Sequence, residues 1–167
     1  MLTKITAGLA ACLLSSSVFA VERDITVTAN VDTDLAIVSS NGGALPASVD
    51  MEYLPGPGGG LQPVNMLTKI YSNDQSKDMV MSLANDAQLI ELTGASTQQI
   101  PLKVTYMNKP LSTADTTLTA SEVFPGGGNN GSIVIPLKIA AITPGVATNG
   151  IYSGVVTLRL VHASTMI

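Results

Sequence analysis

The sequence predicts an all-β chain folded as a β-sandwich, and three observations carry that prediction. Apolar and polar residues alternate with period two along most of the chain. Clusters of Gly, Pro and Asn interrupt the alternation at roughly ten-residue spacing. No stretch of twelve or more residues keeps an apolar stripe of helical period.

The elements follow in chain order. Lys4 supplies a basic start, residues 5–14 (ITAGLAACLL) form an apolar run too short to span a bilayer, and Val18-Phe19-Ala20 places small residues at a cleavage site. Residues 1–20 therefore read as a signal peptide cut before Val21. Leu9-Ala10-Ala11-Cys12 offers an alternative reading as a lipobox, with Cys12 lipidated. The apolar run continues through Leu13 and Leu14, however, and a well-formed cleavage site follows eight residues after the cysteine, so ordinary export explains more of the residues.

The first strand candidate alternates Ile25, Val27, Ala29 and Val31 with Thr26, Thr28 and Asn30. Shorter candidates follow at residues 35–38, 49–54 and 66–71, then a less regular run through Met79, Val80, Met81 and Leu83, and another at 88–92. Ile100, Leu102, Val104 and Tyr106 alternate with Pro101, Lys103 and Thr105. Residues 122–124 read as a short strand, and Ile133, Ile135, Leu137 and Ile139 alternate with Val134, Pro136 and Lys138. The last run places Tyr152, Gly154, Val156, Leu158 and Leu160 on one face. Turn chemistry lies between them, in Asn41-Gly42-Gly43, residues 55–60 (PGPGGG), Asn73-Asp74, Asn108-Lys109-Pro110, residues 125–131 (PGGGNNG) and Asn149-Gly150. Because proline cannot donate to a ladder, Pro101 and Pro136 imply edge strands or bulges.

Composition narrows the chemistry. Without its first 20 residues the chain keeps 147, enough for one domain with a real core, and loses its single cysteine. An exported domain of this kind has no disulfide, thiol nucleophile or thiolate ligand. Removing Lys4 leaves seven basic residues against twelve acidic ones. That balance argues against nucleic acid and anionic membranes as partners, and no later apolar run is long enough to span a membrane.

The only histidine, His162, continues the even-numbered face of the last strand and reads as a strand-end residue, not a member of a hydrolytic triad. Asp32 with Asp34, and Asp50 with Glu52, lack the loop pattern of a calcium site and read as solvated strand-end charges. Residues 126–131 match G-x-G-x-x-G only formally, since a strand and not a helix follows. Residues 56–60 lack the Lys-Ser/Thr ending of a phosphate loop. No pair of carboxylates is marked for glycoside hydrolysis. The residues thus give no catalytic site, no metal site and no cofactor.

Residues 21–32 (VERDITVTANVD) remain. Alternation alone reads them as an ordinary first strand, but an extended arm that fills a groove on a neighbouring molecule would show the same pattern, with Val21, Ile25, Val27, Ala29 and Val31 on its apolar side. This segment, together with Ala44-Leu45-Pro46 and residues 150–158 (GIYSGVVTL), resembles the corresponding blocks of the major subunits of class 5 (alpha-type, colonisation-factor) fimbriae of the alternate chaperone-usher pathway. In that family a proline commonly follows the Val-Asp that ends the arm; here Thr33 stands instead.

The resemblance implies an incomplete immunoglobulin-like β-sandwich (residues 33–167) completed by donor-strand complementation, with 21–32 as the donor strand and Tyr152, Gly154, Val156, Leu158 and Leu160 on the last strand beside the acceptor groove. It further implies a non-enzymatic subunit exported through the periplasm to the cell surface and used for attachment there. The partners it implies are identical pilin subunits, a periplasmic chaperone, an outer-membrane usher and a minor tip adhesin. The competing reading is a secreted, monomeric receptor- or carbohydrate-binding β-sandwich. A chain with no Trp, four scattered Tyr and two Phe offers little aromatic platform for one.

Overall fold

The computed structural model of the chain describes residues 35–93, 98–127, 131–143 and 149–163. The predicted signal peptide and the strand candidate at 21–32 lie outside the described residues. Two antiparallel sheets and a small hairpin account for the rest. The large sheet runs in the order β1 (Leu35–Ser39), β4 (Val64–Ser72), β10 (Ile135–Ala141), β7 (Gln99–Tyr106), β6 (Gln88–Glu91), β11 (Tyr152–Ser153), with β8 (Lys109–Leu111) also on β7. The small sheet runs β12 (Leu158–His162), β5 (Met79–Leu83), β9 (Thr116–Leu118), and β2 (Tyr53–Leu54) pairs with β3 (Gly60–Leu61).

Period-two patterning decides which side of each strand is buried. Ile100, Leu102, Val104 and Tyr106 of β7 are buried while Pro101 and Lys103 are exposed, and Ile135, Leu137 and Ile139 of β10 are buried while Pro136 and Lys138 are exposed. Most of these side chains and Ile70 of β4 form one cluster with Met79, Met81 and Leu83 of β5 and Leu118 of β9. The core is therefore the layer between the sheets, as in an immunoglobulin-like sandwich.

Both prolines occupy interior strands, against the expectation of edges or bulges. β10 lies between β4 and β7, and β7 is flanked by β10 on one side and by β6 and β8 on the other. Within a strand the N and O of one residue point to the same side. The Pro136 carbonyl accepts from Met107 N at 3.3 Å and the Pro101 carbonyl accepts from Ile142 N at 2.9 Å. Each proline nitrogen thus faces the end of the β7–β10 ladder, where the register has stopped at Leu137–Tyr106 and at Ala141–Leu102. A missing N–H there forfeits only the reciprocal bond of the terminal pair and none within the ladder, so neither proline needs an edge strand.

Three further elements depart from the sequence pattern. Residues 122–124 are not a strand: a single helical turn, α1 (Ala120–Val123), is capped by Thr119, whose side chain accepts from Glu122 N while Glu122 reaches back to Thr119 N. Lys109 Nζ, 2.9 Å away, and the Thr119 donors hold the Glu122 carboxyl down at about 2. Of the candidate at 49–54, only Tyr53–Leu54 pairs. Asn108-Lys109-Pro110 is half turn and half strand, because Met107 and Asn108 take left-handed φ values of 51° and 61° and close a two-residue hairpin between Tyr106 and Lys109.

A polar chain runs across the buried face of the large sheet, from β4 to β10 and β7. Thr68 Oγ1 donates its proton to the Ile135 carbonyl at 2.9 Å, so at 3.0 Å from Tyr106 Oη it accepts from the phenol. Burial pushes the Tyr106 phenol up to about 12 from its ordinary 10.0. The stabilisation carried by the neutral phenol is complete below pH 10 and is lost as pH climbs through about 12. Tyr106→Phe is expected to lower stability by about 0.5–1.5 kcal/mol near neutral pH. It should also flatten the fall in urea midpoint between pH 10 and 12. A fall as steep as in the parent chain would assign the alkaline loss to other groups.

Candidate functional site: an open groove beside the last strand

A groove of about 860 Å³ opens into the sandwich. Its floor is the inner face of the large sheet, from Met66 of β4, Leu137 and Ile139 of β10 and Leu89 of β6. One wall is the irregular segment 45–51 with Tyr53 and Leu61 of the small hairpin; the other is 149–150 and 152–156 with Leu158 of β12. Leu35, Ile37, Met51, Met66, Leu89, Val156, Leu158 and Leu160 pack against the core yet stay only partly buried. Among the described residues nothing covers this side of the sandwich, where its apolar interior reaches the surface.

Backbone direction sharpens this. β12 ends its sheet, pairing with β5 on one side, while no described strand pairs with its other side. Thr157 O accepts from Ala84 N and Ala163 N donates to Asp78 O, so the odd-numbered residues turn their N and O toward β5. Leu158, Leu160 and His162 consequently aim theirs outward. The same three side chains face inward and are half-buried, between exposed Arg159 and Val161. The edge therefore offers six backbone groups in strand geometry next to an apolar trough, a combination that suits an extended chain and no rounded ligand.

Of the residues predicted from sequence, Val21, Ile25, Val27, Ala29 and Val31 lie outside the described residues. The other set is brought together, though not as the single strand expected. Tyr152 belongs to β11 on β6, paired with Glu91, and Leu158 and Leu160 belong to β12 on β5. Residues 154–157 between them belong to no strand, with Thr157 O bonded to Ala84 N just ahead of β12. Gly154 marks the break: a Cβ on it would lie 2.0 Å from the Gln88 carbonyl oxygen, so the chain passes against β6 at a distance only glycine allows and then crosses to the other sheet. The even-numbered face survives the crossing, for Tyr152, Val156, Leu158, Leu160 and His162 are all half-buried whereas Val155 is 80% exposed. Tyr152, Gly154, Val156 and Leu158 line the groove. Leu160 continues the edge beyond it.

Sequence patterning gave the wall formed by 45–51 only in part, through the Ala44-Leu45-Pro46 block and a strand candidate at 49–54 whose residues 49–51 join no strand. It also passed over Thr119-x-x-Glu122, a capping box readable from residue types alone. His162 is half-buried, with Nε2 3.4 Å from Ser72 Oγ, a hydroxyl already donating to the Asp74 carbonyl. Among the described residues no three His, Cys, Asp or Glu come together as a metal site. No described helix is long and apolar enough to cross a membrane.

Residues 21–161 match the model of the CS1-type fimbrial major subunit family. The chain is 34% identical over 162 residues to a CFA/I fimbrial subunit of Escherichia coli, covering 94% of each chain. It is 33% identical over 163 residues to a CS1 fimbrial subunit of Escherichia coli, again covering 94% of each. Among solved structures, the CooA pilin subunit from enterotoxigenic Escherichia coli superposes with a TM-score of 0.70 at 32% identity, over 80% of this chain and 89% of that one.

The close approach at Gly154 is testable. Gly154→Ala should separate β11 from β6 and destabilise the chain by about 1–3 kcal/mol, the usual range for overpacking. Hydrogen exchange should then quicken at Leu92 N, which donates to Ile151 O next to that pairing. Gly126→Ala, where an added Cβ meets nothing within 4 Å, serves as the control. Equal exchange in both variants would show that the break does not depend on glycine.

Proposed function

The chain belongs to the CS1-type fimbrial major subunits and is a structural subunit of a bacterial surface fimbria, not an enzyme; we propose that it joins its neighbours by lending residues 21–32 as a strand to the next copy. The open edge of β12 beside the groove carries this reading. Leu158, Leu160 and His162 present their backbone groups to whatever lies there. While the groove is open, water satisfies them. An occupant that excludes water must replace each bond or leave a buried group unpaired, at about 1–3 kcal/mol apiece. An extended arm does so by construction, and Val21, Ile25, Val27, Ala29 and Val31 on one side of it supply the apolar filling.

Burying three valines and one isoleucine at about 1.5–3 kcal/mol each contributes roughly 6–12 kcal/mol, with Ala29 adding less. That is comparable to the whole stability of an ordinary domain, about 5–15 kcal/mol, so the lone subunit is marginal and the polymer durable. Arm and groove are different surfaces of one protein, and their contact therefore propagates head to tail as an open filament. A subunit that exposes such an edge before assembly needs a temporary partner. A periplasmic chaperone, an outer-membrane usher and a tip adhesin complete the proposed set, with residues 1–20 as the export signal. A monomeric receptor-binding role would leave both groove and edge without purpose.

Ile25→Asp or Val27→Asp is expected to abolish fibres while leaving export intact, since a carboxylate would enter an apolar trough. Electron microscopy of cells producing the variants checks this, and fibres of normal number would overturn it. Appending a second copy of 21–32 after Ile167 through a flexible linker should yield a stable monomer with a melting temperature well above that of the isolated parent subunit. An unchanged melting temperature would mean that the segment does not fill the groove.

A further inference from the structure

We propose that Met51 and Met66 form an oxidative modification site of the unfilled groove: a two-electron oxidant of the hydrogen peroxide class converts their thioethers to sulfoxides, and a subunit so modified no longer takes up a strand. The loss of strand uptake rests on the arm-and-groove reading above; the oxidation itself does not.

Without its first 20 residues the chain has no cysteine, so its sulfur lies in the methionines at 51, 66, 79, 81, 107 and 166 alone. The fold sorts those among the described residues into two kinds. Met79 and Met81 of β5 are 0% exposed within the core. Met51, Met66 and Met107 pack against that core but stay half-buried. Met107 sits in the hairpin turn between β7 and β8 and takes no part in the groove lining. Met51 on the wall and Met66 on the floor are the only sulfur groups that line it.

Strand parity places Met66. It alternates inward with Thr68 and Ile70 on β4, and its ladder partner is Leu137. The floor around it is Leu89, Leu137 and Ile139, aliphatic side chains with no hydrogen to donate. A thioether suits such a site, because a soft, unbranched side chain adapts to whatever packs on it. A sulfoxide does not. Its oxygen is a polar acceptor that water satisfies while the groove is open and that an arriving apolar strand face strips bare. The amides of that strand are directed at the edge of β12, not at the floor.

The step balances with the peroxide alone. The sulfur lone pair takes one peroxide oxygen, an S–O bond forms as the O–O bond breaks, sulfur loses two electrons, and the second oxygen leaves as water with both protons. A strand that fills the groove covers both sulfurs, so the sensitivity belongs to the subunit before assembly and ends there. Methionine sulfoxide reductases reverse it.

The test uses the full mature chain carrying Val27→Asp, so that no copy fills the groove of another, and the same chain with an unaltered 21–32 appended after Ile167. Both are treated with dilute hydrogen peroxide while circular dichroism stays native, and mass spectrometry follows each sulfoxide. In the open chain Met51 and Met66 should oxidise at least about tenfold faster than Met79 and Met81; in the appended chain that lead should vanish while the lead of Met107 remains. A common rate for all five in the open chain overturns the proposal.

Uptake of a synthetic 21–32 peptide by the open chain should fall at least about tenfold after oxidation and return once the sulfoxides are enzymatically reduced. Met51→Leu with Met66→Leu removes both sulfurs and keeps the site apolar, so peroxide should leave the uptake of that variant as it was before treatment. An equal loss there places the damage elsewhere and overturns the proposal, as does uptake that survives oxidation of Met51 and Met66. An untreated chain that takes up no peptide overturns the arm, and the block with it.

Discussion

A backbone group can be left facing water or paired with another, but it cannot be buried alone without cost, and the outward edge of β12 fixes what this protein can do. Leu158, Leu160 and His162 turn their side chains into the sandwich and their amides and carbonyls away from it. Any cover for the half-buried side chains around them must also satisfy those groups. The apolar trough supplies the driving force, and the edge restricts the cover to a strand. Sheet order, the non-periodic wall at 45–51 and the break after β11 all serve to keep that edge open and lined.

The same constraint explains why so much of the fold was readable from residue types. Inward positions of β7 and β10 had to be apolar at every second residue, and they are, so both runs are visible in the sequence. Where pairing is set by something other than alternation, the pattern fails. Pro101 and Pro136 look like edge residues because a proline forfeits an N–H, yet what matters is which way the nitrogen points, and that depends on a neighbour distant in sequence. The helical turn at 120–123 is hidden by an apolar Val123-Phe124 pair and betrayed only by its Thr119 cap.

The groove was legible in half. Even-numbered residues of the last run declared one face, and that face is kept, but nothing in the run itself says that its two ends belong to different sheets. Gly154 is the physical reason, and a glycine within alternating residues is compatible with a continuous strand as well as with a close approach. The opposite wall, residues 45–51, carries no period because it belongs to no strand, and segments of that kind become visible only once the strands around them are placed.

The crossing at residues 154–157 has a mechanical meaning. A sandwich with an uncovered side is free to gape, its two layers hinging about the closed side, and packing alone resists that weakly where the core is thinnest. Here a single run of chain is stitched to the large sheet at Tyr152–Ser153 and to the small sheet at Leu158–His162, on the open side. Prising the layers apart means stretching four residues of main chain, so covalent connectivity holds the slot to a set width at the place where it is otherwise least supported.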